Sequence, residues 1–415
     1  MGGIPALWLV AEPTEWPATP VWMTCSRLLD IETCPRRWAL VSARYPHVWD
    51  HAGYPDRPNI NAIIGSIAHL ALKRVIEAIA YAGCSSVRDS RAPDVLRGMG
   101  GLSKIVQSSA SDILGPISVN PRAERIFDFL SRTVQSKLGE VREKLQLFLT
   151  RIELPGSQDS RTDGGPSDRK ALGVGTYAEI ELEWIELGWR GVVDLMHISQ
   201  TGCEIVDFKT GKFDEHHRLQ LLVYGVLWRH DVQRNPKNRP ITKLTISYPA
   251  SDVTVPAPAD AEINQVERDI VARTKSAINS IRAVPPEARP AIEACNYCEV
   301  RQLCSDYWVP GTQKQLSRAR ADSPSPDDSP FSDLEVVIRD RHGSLSYDAI
   351  VTVSGLLEEG QPILLRLRSP GVDVQVGDRL RLLDAVISEN GTSRSEPRIV
   401  SLPATSELFV VPRRP

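Results

Sequence analysis

No stretch of this sequence is apolar for the roughly 20 residues that a membrane-spanning helix needs, so a membrane partner is not expected. The opening residues, MGGIPALWLVAEPTEW, lack a basic segment followed by an apolar core, which argues against a secretory signal. Pro5 and Ala6 break the pattern of a myristoylation site. There is no Walker A match, hence no evident ATP motor in the chain, and no repeat long enough for a solenoid. An excess of either charge is also missing. Lys and Arg number 49 against 52 Asp and Glu, a net charge of -3, so any surface that attracts nucleic acid must be local. Seven cysteines make an awkward disulfide framework. The expectation is a cytoplasmic protein whose 415 residues suffice for two or three domains.

The hydrophobic period changes along the chain. A short helix is expected near Cys25, a strong one over 61–82, and a long one from Pro121 to Phe148. Residues 85–170 read as a helical insertion, ending in a polar surface loop over 156–169. Strict alternation then appears in YAEIELEWIEL, followed by strands in WRGVVDLMHI, EIVDFKT and ITKLTISYP, with a helix over RLQLLVYGVLWRH and another from Ala261 to Ile281. Residues 309–330, rich in Ser, Pro and charge, read as a linker. Closely spaced apolar pieces over 331–415 suggest a small all-β barrel similar to an OB-fold. The expected organisation is a catalytic domain over 20–308, the linker, and the barrel. The class is α/β with an all-β addition.

Asp207 and Lys209 are two apart on one strand, so their side chains share a face. Asp194 ends the preceding strand across a short antiparallel connection. Two carboxylates and an ammonium brought together can hold Mg2+ or Mn2+ against a phosphodiester and orient water. An Asp-x-Lys pair by itself is common. Here it interrupts strongly apolar strands immediately before a turn and a helix. His69, on a helix, offers a third metal ligand or a substrate contact. Gln220 and Tyr224, four apart, share one helix face. Glu179, Glu181 and Glu183 alternate on the polar side of their strand; one of them is a candidate to support metal or substrate binding, while the simplest reading of the face is exposure to water.

Cys34 stands alone near the start, and Cys295, Cys298 and Cys304 form a C-x2-C-x5-C run far downstream. Together they read as one metal site that brackets the catalytic segment. Thiolates suit either zinc or an iron-sulfur cluster. Arg36, Arg37, Trp38, Arg301, Tyr307 and Trp308 flank these positions; each aromatic taken singly reads as core, while the group together suggests a nucleic-acid path by phosphate pairing and stacking.

At this point the sequence resembles the RecB-like branch of the PD-(D/E)XK nucleases across roughly 25 to 308. The residues that carry the resemblance are Gly65 and His69 in a GxxxH element, Gly191 and Asp194 in GxxD, Asp207 and Lys209 in acidic-x-Lys, and Gln220 and Tyr224 in QxxxY. The resemblance implies a restriction-endonuclease-like core in which His69, Asp194 and Asp207 ligate the catalytic metal, Lys209 assists hydrolysis, and Gln220 and Tyr224 support the centre. The cysteine arrangement is similar to the iron-sulfur clasp of AddB-type nucleases, which implies a [4Fe-4S] cluster on Cys34, Cys295, Cys298 and Cys304. The long segment between His69 and Asp194 departs from compact members. The expected function is a metal-dependent DNA nuclease, an exonuclease on single strands or free ends in repair, recombination or phage defence. The alternative is a non-catalytic DNA-binding and assembly subunit of a helicase-nuclease or defence complex. Either role leaves unwinding to a separate helicase or defence-complex subunit.

Overall fold

The computed structural model describes residues 8–154, 169–211, 213–322, 332–367, 373–388 and 397–412. Along the chain come α1 (Cys25–Thr33), α2 (Pro35–Ser42), α3 (Ile60–Tyr81), α4 (Ala92–Gly98), α5 (Gly101–Ser118), α6 (Pro121–Glu124) and α7 (Phe127–Leu149). Strands β1 (Gly175–Trp184), β2 (Trp189–Ile198) and β3 (Cys203–Phe208) precede α8 (Glu215–His230), β4 (Ile241–Ser247), β5 (Asp252–Pro256) and α9 (Asp260–Ser280). After α10 (Ile292–Cys295) and α11 (Pro310–Asp322) follow β6 (Ser332–Arg341), β7 (Ser346–Ser354), β8 (Pro362–Arg366), β9 (Arg379–Ser388), β10 (Arg398–Ser401) and β11 (Glu407–Val411). Two compact units result: one holds Pro20–Leu28 and Pro58–Ser276, the other Met1–Thr19, Leu29–Arg57 and Ala277–Pro415. The surface loop expected over 156–169 lies, except for Arg169, outside the described residues.

The first unit is built on a five-stranded sheet in chain order, β1-β2-β3-β4-β5. β1, β2 and β3 form an antiparallel meander, and β4 pairs parallel to β3, so α8 serves as the crossover of a β-α-β unit. α3 begins where the Asn59 side chain accepts the Ala62 N–H at 3.1 Å. Its apolar stripe, including Ile67, Ala71, Val75 and Ile79, packs with Val106 and Ala110 of α5, Val134, Val141 and Phe148 of α7, and Leu195 and Phe208 of the sheet. The helical insertion is thus part of this unit's core. The long helix expected from Pro121 is broken into α6 and α7. Asn120 caps the backbone of Arg122 at 2.9 Å, and Ile126, at φ -118° and ψ 6°, leaves the helical region before α7 starts.

Two close approaches position α3 and α8. A side chain at Gly65 would meet Thr210 Oγ1 at 3.4 Å. One at Gly191 would meet the Tyr224 ring at 2.8 Å and Leu227 Cδ1 at 3.1 Å, so the bare backbone of β2 is what lets α8 lie this near.

The other unit contains the closed barrel. Its strands run β10-β8-β7-β6-β9, β9 pairs back to β10, and β11 extends β9. Leu334, Val336, Ile338, Ala349, Val351, Leu380, Leu382 and Phe409 fill its interior. The α/β core and the separate small barrel are the architecture that alternation and strand spacing led one to expect. Part of the segment read as linker, 309–330, is instead helix. α11 buries Leu316 in the same apolar cluster as the barrel, and a side chain at Gly355 would overlap Ser317 Oγ and lie 2.8 Å from the Gln313 carbonyl. Residues 323–331 lie outside the described residues.

Two outcomes follow from this packing. Gly191→Ala forces a methyl group into the Tyr224 ring and should lower stability by about 1–3 kcal/mol in urea unfolding. His197 on β2 has its pKa pushed down from 6.5 to about 4 by burial and by the charge of Lys243. Below the ordinary value the unfolded chain therefore takes up a proton that the folded chain refuses. This contribution to stability is complete above pH 6.5 and is lost as pH falls toward 4. Urea titrations at pH 7 and pH 5 should show the wild type losing about 2 kcal/mol more than His197→Gln over that interval.

Candidate active site

The register of the meander sets up the site. The pairs Ala178↔Leu195 and Ile180↔Val193 flank Glu179 and Asp194, which are therefore opposite one another. One step beyond the pair Leu195↔Val206, Asp194 also comes level with Asp207. Three carboxylates thus occupy one row across β1, β2 and β3. Glu179 has φ 52°, a left-handed conformation that a glutamate seldom adopts. α3 adds His69, whose Nδ1 is 3.6 Å from Asp194 Oδ1. Ligand atoms of His69, Glu179 and Asp194 all lie within 4.8 Å of one another.

Each remaining polar group is fixed by a specific partner. Asp194 Oδ2 accepts the Phe208 backbone N–H at 2.7 Å, which leaves Oδ1 on the His69 side. Lys209 Nζ lies 2.7 Å from Asp207 Oδ2 and donates to Gln220 Oε1 at 2.8 Å. Because the ammonium can only donate, it fixes the Gln220 amide with Oε1 toward Lys209. Gln220 Nε2 then donates to the Tyr224 hydroxyl at 2.6 Å. Asp207, Lys209, Gln220 and Tyr224 form a continuous polar chain from β3 onto α8.

The electrostatics are those of negative charge held in a dry place. Asp207 is 1% exposed, and burial, reinforced by Asp194, pushes its carboxyl up against the pull of Lys209. Its Oδ2 makes the ion pair but no well-directed hydrogen bond. Burial and the charge of Asp194 also push Glu179 up. Burial opposes protonation of His69, yet its hydrogen bond to Asp194 and the attraction of that carboxylate outweigh burial and raise its pKa. Burial raises the Tyr224 phenol far above its ordinary range, so it stays protonated. Carboxylate oxygens with one imidazole nitrogen are a donor set that fits Mg2+ or Mn2+, and a buried carboxylate oxygen short of donors is what such an ion satisfies.

All six residues singled out in the sequence for catalysis are in this unit: His69 pairs with Asp194, and Asp207, Lys209, Gln220 and Tyr224 form the polar chain beside them. Asp207 faces Lys209, whereas the tight ligand cluster is completed by Glu179, which alternation had grouped with Glu181 and Glu183 on a water-facing side. The signal for Glu179 is its level with Asp194, and that becomes visible only when the hairpin register is known.

The four-cysteine expectation is overturned. Among the described residues, the one group of three or more His, Cys, Asp or Glu ligand atoms within 4.8 Å is His69, Glu179 and Asp194, and no set of thiols qualifies. Cys34, Cys295, Cys298 and Cys304 form no disulfide. Cys298 is buried in an apolar cluster with Leu40, Val300 and Trp308, while Cys34 Sγ accepts the Arg289 N–H at 3.5 Å. Burial pushes the Cys295 thiol up to about 11 and that of Cys298 up to about 12. A [4Fe-4S] cofactor does not fit these residues. The nucleic-acid path expected beside them is also absent in that form. Trp38, Arg301, Tyr307 and Trp308 are buried, and Arg301 is spent on Asp333 at 2.5 Å and Asp384 at 2.8 Å.

Among solved structures, the chain is similar to the crystal structure of SSO0001, with 21% identity over 31% of this chain and 60% of that one and a TM-score of 0.21. It is also similar to a murine DNA-binding protein bound with double-stranded DNA, with 9% identity over 58% of this chain and 94% of that one and a TM-score of 0.17. The chain thus spans 60% of the length of SSO0001, and at such scores neither likeness bears on function. No curated protein matches the chain. No helix among the described residues is long and apolar enough to cross a membrane. The profile of the PD-(D/E)XK nuclease superfamily matches residues 23–305, the span that contains the acidic row and Lys209, and the chain belongs to that superfamily.

Proposed function

We propose that this chain hydrolyses phosphodiester bonds in DNA with the aid of Mg2+ or Mn2+, acting on single strands or free ends. The observation that carries the reading is Lys209, held between the buried Asp207 carboxylate and Gln220 beside a row of acidic groups. His69, Glu179 and Asp194 would hold a divalent ion, with Asp207 at its border. When bound, such an ion would supply positive charge against the phosphate and acidify a water molecule. Asp194 is oriented for this by the Phe208 N–H, which occupies one oxygen and leaves the other on the His69 side. Lys209 presents an ammonium at a fixed place, where it can orient the attacking water and offset charge as the phosphorus gains a fifth oxygen. Gln220 and Tyr224 hold that ammonium in position. The segment 20–308 would carry this activity and 331–415 would serve DNA binding or partner docking. Repair, recombination or phage defence, with a separate helicase or defence subunit, are settings that suit an end-directed nuclease without a motor.

The test is cleavage of end-labelled single-stranded and duplex DNA, and of matched RNA, by the purified full chain in Mg2+ or Mn2+. Asp207→Ala and Lys209→Ala should each lower the rate by about a hundredfold or more, with thermal unfolding used to check folding. Equal cleavage by both variants and the wild type would remove these residues from the chemistry. Faster cleavage of RNA than of DNA would reassign the substrate.

A further inference from the structure

Aromatic residues are only 6% of this chain, yet three rings meet beside Lys209 in the α/β unit. The Lys209 N–H donates to the Ser247 carbonyl at 2.9 Å, so Tyr248 is the next residue along from the strand end that touches the site. Tyr248 is 8% exposed. Its hydroxyl hydrogen-bonds His217 Nδ1 at 2.8 Å, and its backbone carbonyl accepts from Arg151, which also donates to the Pro249 carbonyl at 2.9 Å. The ring is therefore fixed from both ends. His217 is kept neutral by burial and by the nearby Lys209 charge, so it adds a flat uncharged ring. Phe213 lies against this floor, with its ring centroid 6.4 Å from that of Tyr248 and the planes at 47°. That spacing is ordinary for an aromatic pair. Phe213 nevertheless remains 56% exposed. It directly precedes Asp214, whose side chain accepts the His216 N–H at 2.8 Å and starts α8, so the ring is carried by a defined helix entry.

An apolar ring braced on a rigid floor and open to water on the border of an acidic hydrolytic site has one chemical complement in a nucleic-acid substrate, the face of a base. Only an unpaired base can offer that face within a strand, because in a duplex each base is covered by its neighbours. We infer that Phe213, braced by Tyr248 and His217, is a stacking platform for an unpaired nucleobase next to the scissile phosphate, and that it sets the preference for single-stranded over duplex substrate. This rests on the nuclease reading above and specifies which form of nucleic acid that site takes.

The experiment uses the full chain and a series of single-stranded oligonucleotides, each with one abasic residue moved stepwise past the cleavage position. In the wild type, one abasic position should lower kcat/KM by about tenfold, the usual scale for losing one stacked base. Phe213→Ala should show a similar loss on the intact strand, no further loss at that abasic position, and little change on duplex DNA. Phe213→Trp should restore the wild-type pattern. A purely structural role would instead lower the rate on every substrate alike. Cleavage by the wild type that is indifferent to every abasic position, or Phe213→Ala retaining the full single-strand preference, would overturn the stacking role and leave the nuclease reading intact. No cleavage of any nucleic acid by the wild type would overturn both.

Discussion

The crowding of negative charge where water is scarce is the constraint on which the α/β unit depends. Glu179 and Asp194 offer oxygens within 4.8 Å of each other, and Asp207 stands level with them, 1% exposed. With both charged, one such pair repels by about 3 kcal/mol at an effective dielectric near 20. Three features offset this: Lys209 against Asp207, His69 against Asp194, and the Phe208 N–H on the second Asp194 oxygen. Burial first, and then the charge of Asp194, still leave Glu179 and Asp207 harder to ionise than ordinary carboxyls. The residual imbalance is what a divalent cation would remove, and it links the register of a hairpin to the chemistry of the site.

The fold around that charge is arranged to keep it there. Gly191 admits α8 to within contact of β2, so Gln220 can reach Lys209, with Tyr224 holding Gln220 from behind. Gly65 brings α3 alongside Thr210, in the turn that carries Lys209's neighbours, and one helical turn later His69 reaches Asp194. The apolar stripe of α3 holds this helix in place through the insertion helices α5 and α7, so a segment remote in sequence helps to fix a ligand. The other unit uses buried charge differently. Arg301 is enclosed and neutralised by Asp333 and Asp384, with Tyr307 donating to Asp333 at 2.8 Å. Removing one member would strand the others without water, which makes such a network costly to break.

How far the site was legible in the sequence differs from residue to residue. Asp207 and Lys209 were visible because strand period alone puts positions two apart on one face. Gln220 and Tyr224 were visible through helix period, and the barrel through the close spacing of its apolar pieces. Glu179 was hidden, since its left-handed backbone breaks the alternation that grouped it with Glu181 and Glu183. The cysteines misled in the opposite way. Their spacing suggested one four-sulfur ligand set, but spacing carries no information about where sulfurs point, and among the described residues no set of thiols comes within ligand distance. Trp308 and Tyr307, each more readily a core residue when taken singly, were grouped with those cysteines as a DNA path, and both belong to the core. The helix over Pro310–Asp322 was obscured by its polar composition, because the buried Leu316 and Gln313 and the lack of a side chain at Gly355 suffice to dock it.

The central claim is that the acidic row is a cation site. Anomalous diffraction from crystals of the full chain grown with Mn2+ tests it most directly. The account predicts an anomalous peak about 2.2 Å from ligand atoms of His69, Glu179 and Asp194, bordering the Asp207 carboxylate. A map with manganese bound only elsewhere, and the row unchanged without it, would contradict the account.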